Sequence, residues 1–187
     1  MIKKKIKKLL IANRGEIACK IIKCAKNLDI PTVAIYSNED VDSLHIQLAD
    51  EAVNIPGSSV SETYMNGPAI ISICKKYKAN AIHPGYGLLS ENAKFVKSVE
   101  KNKLIFIGPK STIIKNMGEK DKAKLIMEEA GVPVIPGYHG DNQNKNFLRK
   151  KANEIGYPVL IKARSGGGGR GMRLSLIHIS EPTRLAW

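Results

Sequence analysis

One lysine, four consecutive glycines and two arginines make the densest chemical signal in this chain: Lys162-Ala163-Arg164-Ser165-Gly166-Gly167-Gly168-Gly169-Arg170-Gly171-Met172. Lys162 ends the apolar run Pro158-Val159-Leu160-Ile161, so its positive charge is held at a strand end. Gly166, Gly167, Gly168 and Gly169 have no side chains. Their N–H groups can close over phosphate oxygens, and their backbones can take positive φ. Arg164 or Arg170 can add a charge-assisted contact. The pattern is not a P-loop, which needs Gly-Lys-Ser/Thr opening a helix, nor is it the dinucleotide fingerprint. It reads as a glycine flap between two strands, closing over a nucleotide. The plainer alternative, a glycine linker, fits poorly with the apolar strand before it and Gly171-Met172 after it.

Two other loops carry candidate chemistry. Asn13-Arg14-Gly15-Glu16 stands where a dinucleotide-binding fold has its glycines, but a single glycine gives little support for pyrophosphate binding there. The simpler reading is a turn, with Glu16 complementing a helix N-terminus. His83-Pro84-Gly85-Tyr86-Gly87 has the composition of a rigid loop that presents Tyr86 to a ligand, with His83 open to either a catalytic or a structural role. His45 and His139 read as surface residues. Asp40, Asp42 and Asp50 have no metal-ligand spacing and read as solvated. Cys19, Cys24 and Cys74 sit in helical patterns at no metal or redox spacing, which suggests buried thiols in a reducing cytoplasm.

These loops need elements to position them, and the sequence alternates strand-like and helix-like patterns. Leu9 to Ala12, Thr32 to Tyr36, Ala52 to Ile55, Ala81-Ile82 and Leu104 to Ile107 read as strands. Ile17, Ala18, Ile21, Ile22 and Ala25 share one helical face, as do Ala69, Ile70, Ile73, Cys74 and Tyr77, and another helix is expected from about Glu91. Repeated strand–helix–strand units imply a parallel sheet whose ligands approach the carboxyl ends of the strands, where Asn13 to Glu16 and His83 to Gly87 fall. The pattern changes between about Gly108 and Lys120. Helices are expected over Ser111 to Met117, Lys120 to Ala130 and around Phe147 to Ile155, then the strand that leads into the glycines.

Composition bounds the rest. The chain has 187 residues, 43% hydrophobic and 25% charged, enough for one domain and part of a second, and no apolar run reaches a bilayer span. A net charge of +13 raises a nucleic-acid-binding module as a rival class. The basic residues are mostly lysines scattered along helices, with few aromatics among them, so a solvated lysine-rich surface explains the charge and no nucleic-acid or membrane partner is expected.

Six motifs taken together resemble biotin carboxylase, the ATP-grasp enzyme of acetyl-CoA, propionyl-CoA, methylcrotonyl-CoA and pyruvate carboxylases. They are IANRGEIA (Ile11 to Ala18), IHPGYGLLSEN (Ile82 to Asn92), FIGP (Phe106 to Pro109), MGEK (Met117 to Lys120), AGVPVIPG (Ala130 to Gly137) and GYPVLIKARSGGGGRGMR (Gly156 to Arg173). The resemblance implies an α/β fold: a Rossmann-like, pre-ATP-grasp parallel-sheet domain over 1–114, then the incomplete start of an ATP-grasp domain over 115–173. It implies a ligase that uses ATP, Mg2+ and bicarbonate to carboxylate biotin on a biotin carboxyl carrier protein. Lys120 and Lys162 resemble the family's ATP-binding lysines, Gly166 to Gly169 its flap, and Met172 a side chain near the adenine. His83, Tyr86 and Gly87 match its biotin-pocket loop, and Glu91 lies near that site. A carboxyltransferase partner, a homodimer and cytoplasmic fatty acid biosynthesis belong to the same expectation. The helix from Glu16 to Asn27 resembles the family's dimer face, although Lys23 and Asn27 replace an Arg and a Glu there.

The resemblance also calls for residues this sequence does not contain: two magnesium-binding glutamates, the base for bicarbonate and an arginine for the biotin enolate. No catalytic residue and no metal ligand is therefore assigned, and the chain by itself is expected to be inactive. The stretch LSLIHISEPTRLAW, 174–187, does not continue the pattern, and most of it is what a common sequencing-library adapter encodes. It is expected to be non-native. Rival enzymes are other ATP-grasp ligases, such as carbamoyl-phosphate synthetase or a purine-pathway carboxylase. A pure dinucleotide-binding domain is the weaker alternative.

Overall fold

Alternation along the first strand sets the architecture. In β1 (Leu9–Ile11), Leu9 and Ile11 face one side of the sheet while Leu10, followed by Ala12, faces the other, and all four are buried. A strand apolar on both faces needs cover on both, which is the signature of a parallel sheet wrapped by helices. The structure, a computed structural model, describes residues 5–118, 120–138, 140–162 and 172–175, and the chain divides into two compact units, 1–115 and 116–187.

The first unit holds α1 (Gly15–Lys26), β2 (Thr32–Tyr36), α2 (Leu44–Leu48), β3 (Glu51–Asn54), α3 (Gly67–Lys76), β4 (Ala81–His83), α4 (Ala93–Lys101) and β5 (Ile105–Phe106). The five strands are all parallel in the order β3-β2-β1-β4-β5, with Leu9 opposite Thr32 on one side and Ala81 on the other. One core packs Ala18, Ile22 and Ala25 of α1 on Leu9, Ile11, Ala34 and Ala81. The opposite core packs Ile70, Ile71 and Cys74 of α3 and Phe95 and Val99 of α4 on Leu10, Val33, Ile35 and Ile82. Local chemistry sets the helix ends. Asn66 accepts the Ala69 N–H at 3.1 Å and Asn92 accepts the Phe95 N–H at 3.0 Å, each satisfying an otherwise open first-turn donor. α1 closes where Asp29 turns left-handed, at φ +53°, and the Ile30 N–H returns to the Ala25 carbonyl at 3.0 Å.

The second unit contains α6 (Lys120–Glu129), α7 (Lys145–Ile155) and a two-stranded antiparallel hairpin, β6 (Val159–Lys162) with β7 (Met172–Ser175). α5 (Ser111–Gly118) straddles the division, and the Ser111 N–H and hydroxyl both donate to the Glu100 carboxylate, at 3.2 and 2.7 Å. Asn144 caps α7 by accepting the N–H groups of Asn146 and Phe147. Tyr138 stacks edge-on against Phe147, with ring centroids 5.3 Å apart. None of the described side chains in this unit is buried.

Four expectations are corrected. His45 is not a surface residue: it lies on α2, fully buried, with Nε2 3.3 Å from the Ile35 carbonyl. Five residues are too few to show a helical period, so α2 went unread and its inward face with it. Asp50 is tied rather than simply solvated, accepting the Thr32 N–H at 2.8 Å and hydroxyl at 2.7 Å. Cys24 is exposed, because it falls on the polar face of α1, whereas Cys19 and Cys74 are buried. The strand also runs past Arg173: Leu174 pairs with Leu160 and Ser175 with Val159. The boundary expected at residue 174 therefore falls inside β7, since antiparallel pairing uses backbone groups that side-chain pattern does not reveal. The remainder of that tail, 176–187, lies outside the described residues, as does His139.

Candidate functional site

The strand order changes direction between β1 and β4, and a crevice opens at the carboxyl ends of strands that diverge this way. Ile11 pairs with His83, and the Ala12 N–H donates to the His83 carbonyl at 2.9 Å, so both loops leave the sheet from one edge. Asn13, only 4% exposed, joins them. Its amide nitrogen donates to the Pro84 carbonyl at 2.8 Å and the Tyr86 carbonyl at 2.9 Å, while its oxygen accepts the Arg14 N–H at 2.9 Å. Gly85 takes φ +68°, and a Cβ there would lie 2.5 Å from Asn13 Nδ2 and 2.7 Å from Ile17 Cγ2, so this position has room only for glycine.

His83 shapes the same loop. Its Nδ1 accepts the Gly85 N–H at 3.0 Å, and burial lowers the ring's pKa, so the neutral imidazole is the form that holds the turn. Of the two roles left open for His83, this geometry displays the structural one. Gly87 follows at φ +64°, and Tyr86 between the two glycines is 78% exposed. The loop thus has the form expected from its composition: a fixed base and one outward aromatic ring.

Arg14 anchors the other loop. Its guanidinium lies 5.3 Å over the Tyr64 ring and 3.4 Å from Asp40 Oδ2. The Tyr64 hydroxyl donates to the same oxygen at 2.6 Å and accepts the Ser37 N–H at 3.1 Å, and the Ser37 hydroxyl donates to Asp40 at 2.9 Å. Burial pushes the Asp40 pKa up, but the hydrogen bonds from Tyr64, Ser37 and Arg14 outweigh it and hold the carboxyl below its usual range. Burial, and then Asp40, push the Tyr64 phenol up to about 12. Asp40 is therefore a hub and not the solvated residue its spacing suggested. A cavity of about 160 Å³ lined by Arg14, Ser58, Thr63 and Tyr64 adjoins this cluster. A groove of about 590 Å³ between α3 and α4, lined by Met65, Ile71, Lys75, Leu89 and Phe95, holds none of the residues expected to contact ATP or biotin.

In the second unit the described residues fix the anchors of the glycine segment. Lys162 ends β6 exposed, directly opposite the half-buried Met172 that starts β7. Gly166, Gly167, Gly168 and Gly169, with Arg164 and Arg170, lie outside the described residues. Lys120 is the first residue of α6. The structure thus brings His83, Tyr86 and Gly87 together on one loop, and Lys162 together with Met172. Sequence reasoning read Asn13 and Arg14 only as part of a turn and Asp40 as solvated, and missed the bonds of Asn13 to the second loop and the Arg14–Asp40–Tyr64 cluster. The only available signal was an asparagine and an arginine directly after an apolar strand.

Comparison with known proteins adds the following. Residues 5–114 match the family model described as biotin carboxylase, N-terminal domain, and residues 119–179 match carbamoyl-phosphate synthase L chain, ATP binding domain. The mitochondrial methylcrotonoyl-CoA carboxylase subunit alpha of Dictyostelium discoideum is 53% identical over 171 residues, which is 91% of this chain and 24% of that protein. Biotin carboxylase 1 of Bacillus subtilis is 50% identical over 170 residues, covering 91% of this chain and 38% of its own. The biotin carboxylase domain dimer of Hydrogenobacter thermophilus 2-oxoglutarate carboxylase, solved with MgADP, ADP and bicarbonate, matches with a TM-score of 0.85 at 45% identity. That match covers 92% of this chain and 38% of the solved one. The chain therefore spans about a quarter to two fifths of the length of these relatives.

Proposed function

The chain belongs to the biotin carboxylase family, and from that premise we propose that it is the N-terminal part of a subunit that uses ATP and bicarbonate to carboxylate biotin held on a carrier protein. One observation carries the reading. A single stretch at 53% identity to a carboxylase subunit contains both a pinned switch-point loop offering Tyr86 and a hairpin whose facing ends are Lys162 and Met172. In this reading Tyr86 and Gly87 border the biotin pocket and His83 holds their loop. Lys120 and Lys162 supply point charges to nucleotide phosphates. Gly166 to Gly169 close over those phosphates, and Met172 packs near the adenine. The exposed Lys23 and Cys24 on α1, with Asn27 directly after it, belong to a homodimer face.

The match to a carbamoyl-phosphate synthase ATP-binding domain covers residues 119–179 alone, whereas the Dictyostelium and Bacillus relatives, matched over about 170 residues, are carboxylases. A carrier protein and a carboxyltransferase are the partners this reading requires. The relatives include methylcrotonoyl-CoA and propionyl-CoA carboxylase subunits, so acetyl-CoA carboxylation and fatty acid synthesis are not singled out. The acyl acceptor is set by the carboxyltransferase. No described helix is long and apolar enough to cross a membrane. Free Cys19, Cys24 and Cys74 suit a reducing compartment such as the cytoplasm.

The magnesium-binding glutamates that the family resemblance calls for have no counterpart in this sequence. Phosphoryl transfer without metal-assisted charge neutralisation has no adequate stabilisation of its transition state. The isolated 187-residue chain is therefore expected to give no biotin- and bicarbonate-dependent ADP release, and the full-length subunit that carries it is expected to give it. Turnover by the isolated chain would overturn the first expectation. A full-length subunit that hydrolyses ATP with no response to biotin would overturn the family function.

A further inference from the structure

We infer that Asn13 is the positioning residue of the biotin loop: its buried amide holds the 83–87 segment in the shape that presents Tyr86. This rests on the functional reading above and goes beyond it, because the resemblance gives Asn13, inside IANRGEIA, no role in the biotin loop. Gly85, Gly87 and Leu88 have left-handed φ of +68°, +64° and +45°, and the Ser90 N–H ties the Gly87 carbonyl at 2.9 Å, downstream of the turn that Gly85 makes. His83 ties only the Gly85 N–H. The carbonyls on either side of Gly85, those of Pro84 and Tyr86, are both held by the two hydrogens of the Asn13 side-chain amide, at 2.8 and 2.9 Å.

The chemistry admits few substitutes. The position needs two donors aimed at two carbonyl oxygens and one acceptor for the Arg14 N–H, all within a side chain short enough for a buried site. Asparagine alone meets this requirement at that length. Aspartate has the same shape but no donor when ionised, and it would set a negative charge against two carbonyl oxygens. Protonated, it regains one donor. The bare glycine surface at Gly85 allows the close approach from the other side. Asn13 thus links the turn after β1 to the loop after β4 across the switch point.

The test uses the full-length subunit with free biotin as substrate. Asn13→Asp is expected to raise KM for biotin at least about tenfold, with KM for ATP and kcat at saturating biotin changed less than about twofold. The defect is expected to shrink as pH falls and the carboxyl regains its proton. Gly85→Ala, which pushes the loop off Asn13 without altering the amide, is expected to give the same split in KM. Amide exchange at residues 84–87 is expected to accelerate in both variants, with the rest of the sheet unchanged. An unchanged biotin KM in both variants, or an equal loss across kcat and both KM values, overturns the inference while leaving the family function standing. If the unsubstituted subunit shows no biotin dependence, the functional reading fails instead. The exchange measurement then still decides whether Asn13 holds the loop: slow exchange at 84–87 in Asn13→Asp overturns it.

Discussion

The two units of this chain treat their apolar residues differently. Residues 1–115 bury a sheet on both faces: Leu10, Ile11, Val33, Ile35 and Ile82 are all inaccessible to solvent. Residues 116–187 contain more polar helices, and their apolar residues Leu125, Ile135, Leu160, Ile161 and Leu174 are 46–79% exposed, with no described side chain there buried. Apolar pattern produces stability only where a second layer is present to receive it. Polar chemistry divides the same way. The first unit holds its loops with buried, mutually satisfied groups such as Asn13 and the Asp40–Tyr64–Ser37 cluster, whereas the second relies on exposed hydrogen bonds such as that from the Lys124 ammonium to the Ile135 carbonyl.

The sharpest way to break that contrast is a matched pair of leucine truncations followed by urea denaturation. Leu10→Ala removes a fully buried side chain and is expected to cost about 2–5 kcal/mol. Leu160→Ala, at a site 46% exposed, is expected to stay within about 0.5 kcal/mol. Equal costs would mean that the second unit has a core of its own.

A matched pair of hydroxyl deletions probes the polar half of the comparison, with a smaller effect. Tyr64→Phe strips the Ser37 N–H of its acceptor and Asp40 of its shortest donor, and is expected to cost about 1–3 kcal/mol in the same assay. Tyr138→Phe removes an exposed bond from the Asn142 N–H, which water can replace, so it is expected to cost a few tenths of a kcal/mol at most. A Tyr64→Phe variant as stable as its parent would show that the cluster is solvated after all.

Acidification gives the smallest and most selective signal. Burial lowers the pKa of both His45 and His83 from the ordinary 6.5. Below that value the unfolded chain takes up protons that the folded one refuses. The stability these groups contribute is thus full above about pH 6.5 and is lost as pH falls toward their folded values. Asp40 and Asp50 are held below the usual 3.8 and lose their contribution only at lower pH. Between about pH 7 and about pH 5 the melting temperature of the first unit is expected to fall. His45→Gln is expected to reduce the slope. A flat profile would mean that both rings take up protons as readily in the fold as in the unfolded chain.

Much of the first unit could be read directly from the chain, since periods of two and of three to four residues mark strands and helices longer than one turn. β2 falls where Thr32 to Tyr36 predicts it, and α1 starts one residue before Glu16. α2 and its buried His45 could not be read, because a five-residue helix shows no period. The composition of His83 to Gly87 announced a rigid loop. The residue that holds it rigid lies about seventy positions away, at Asn13, and nothing local connects the two.

The sequence by itself determined the family, through its motifs, and the parallel alternation of strands and helices, because these are properties of spacing and side-chain chemistry. Only the tertiary structure decided that β1 and β4 are neighbours, that Asn13 thereby meets the Pro84 and Tyr86 carbonyls, and that Asp40 is shared by Tyr64, Ser37 and Arg14. The reason is physical. Strand order places distant segments side by side, and a hydrogen bond of about 2.9 Å depends on that placement and not on distance along the chain.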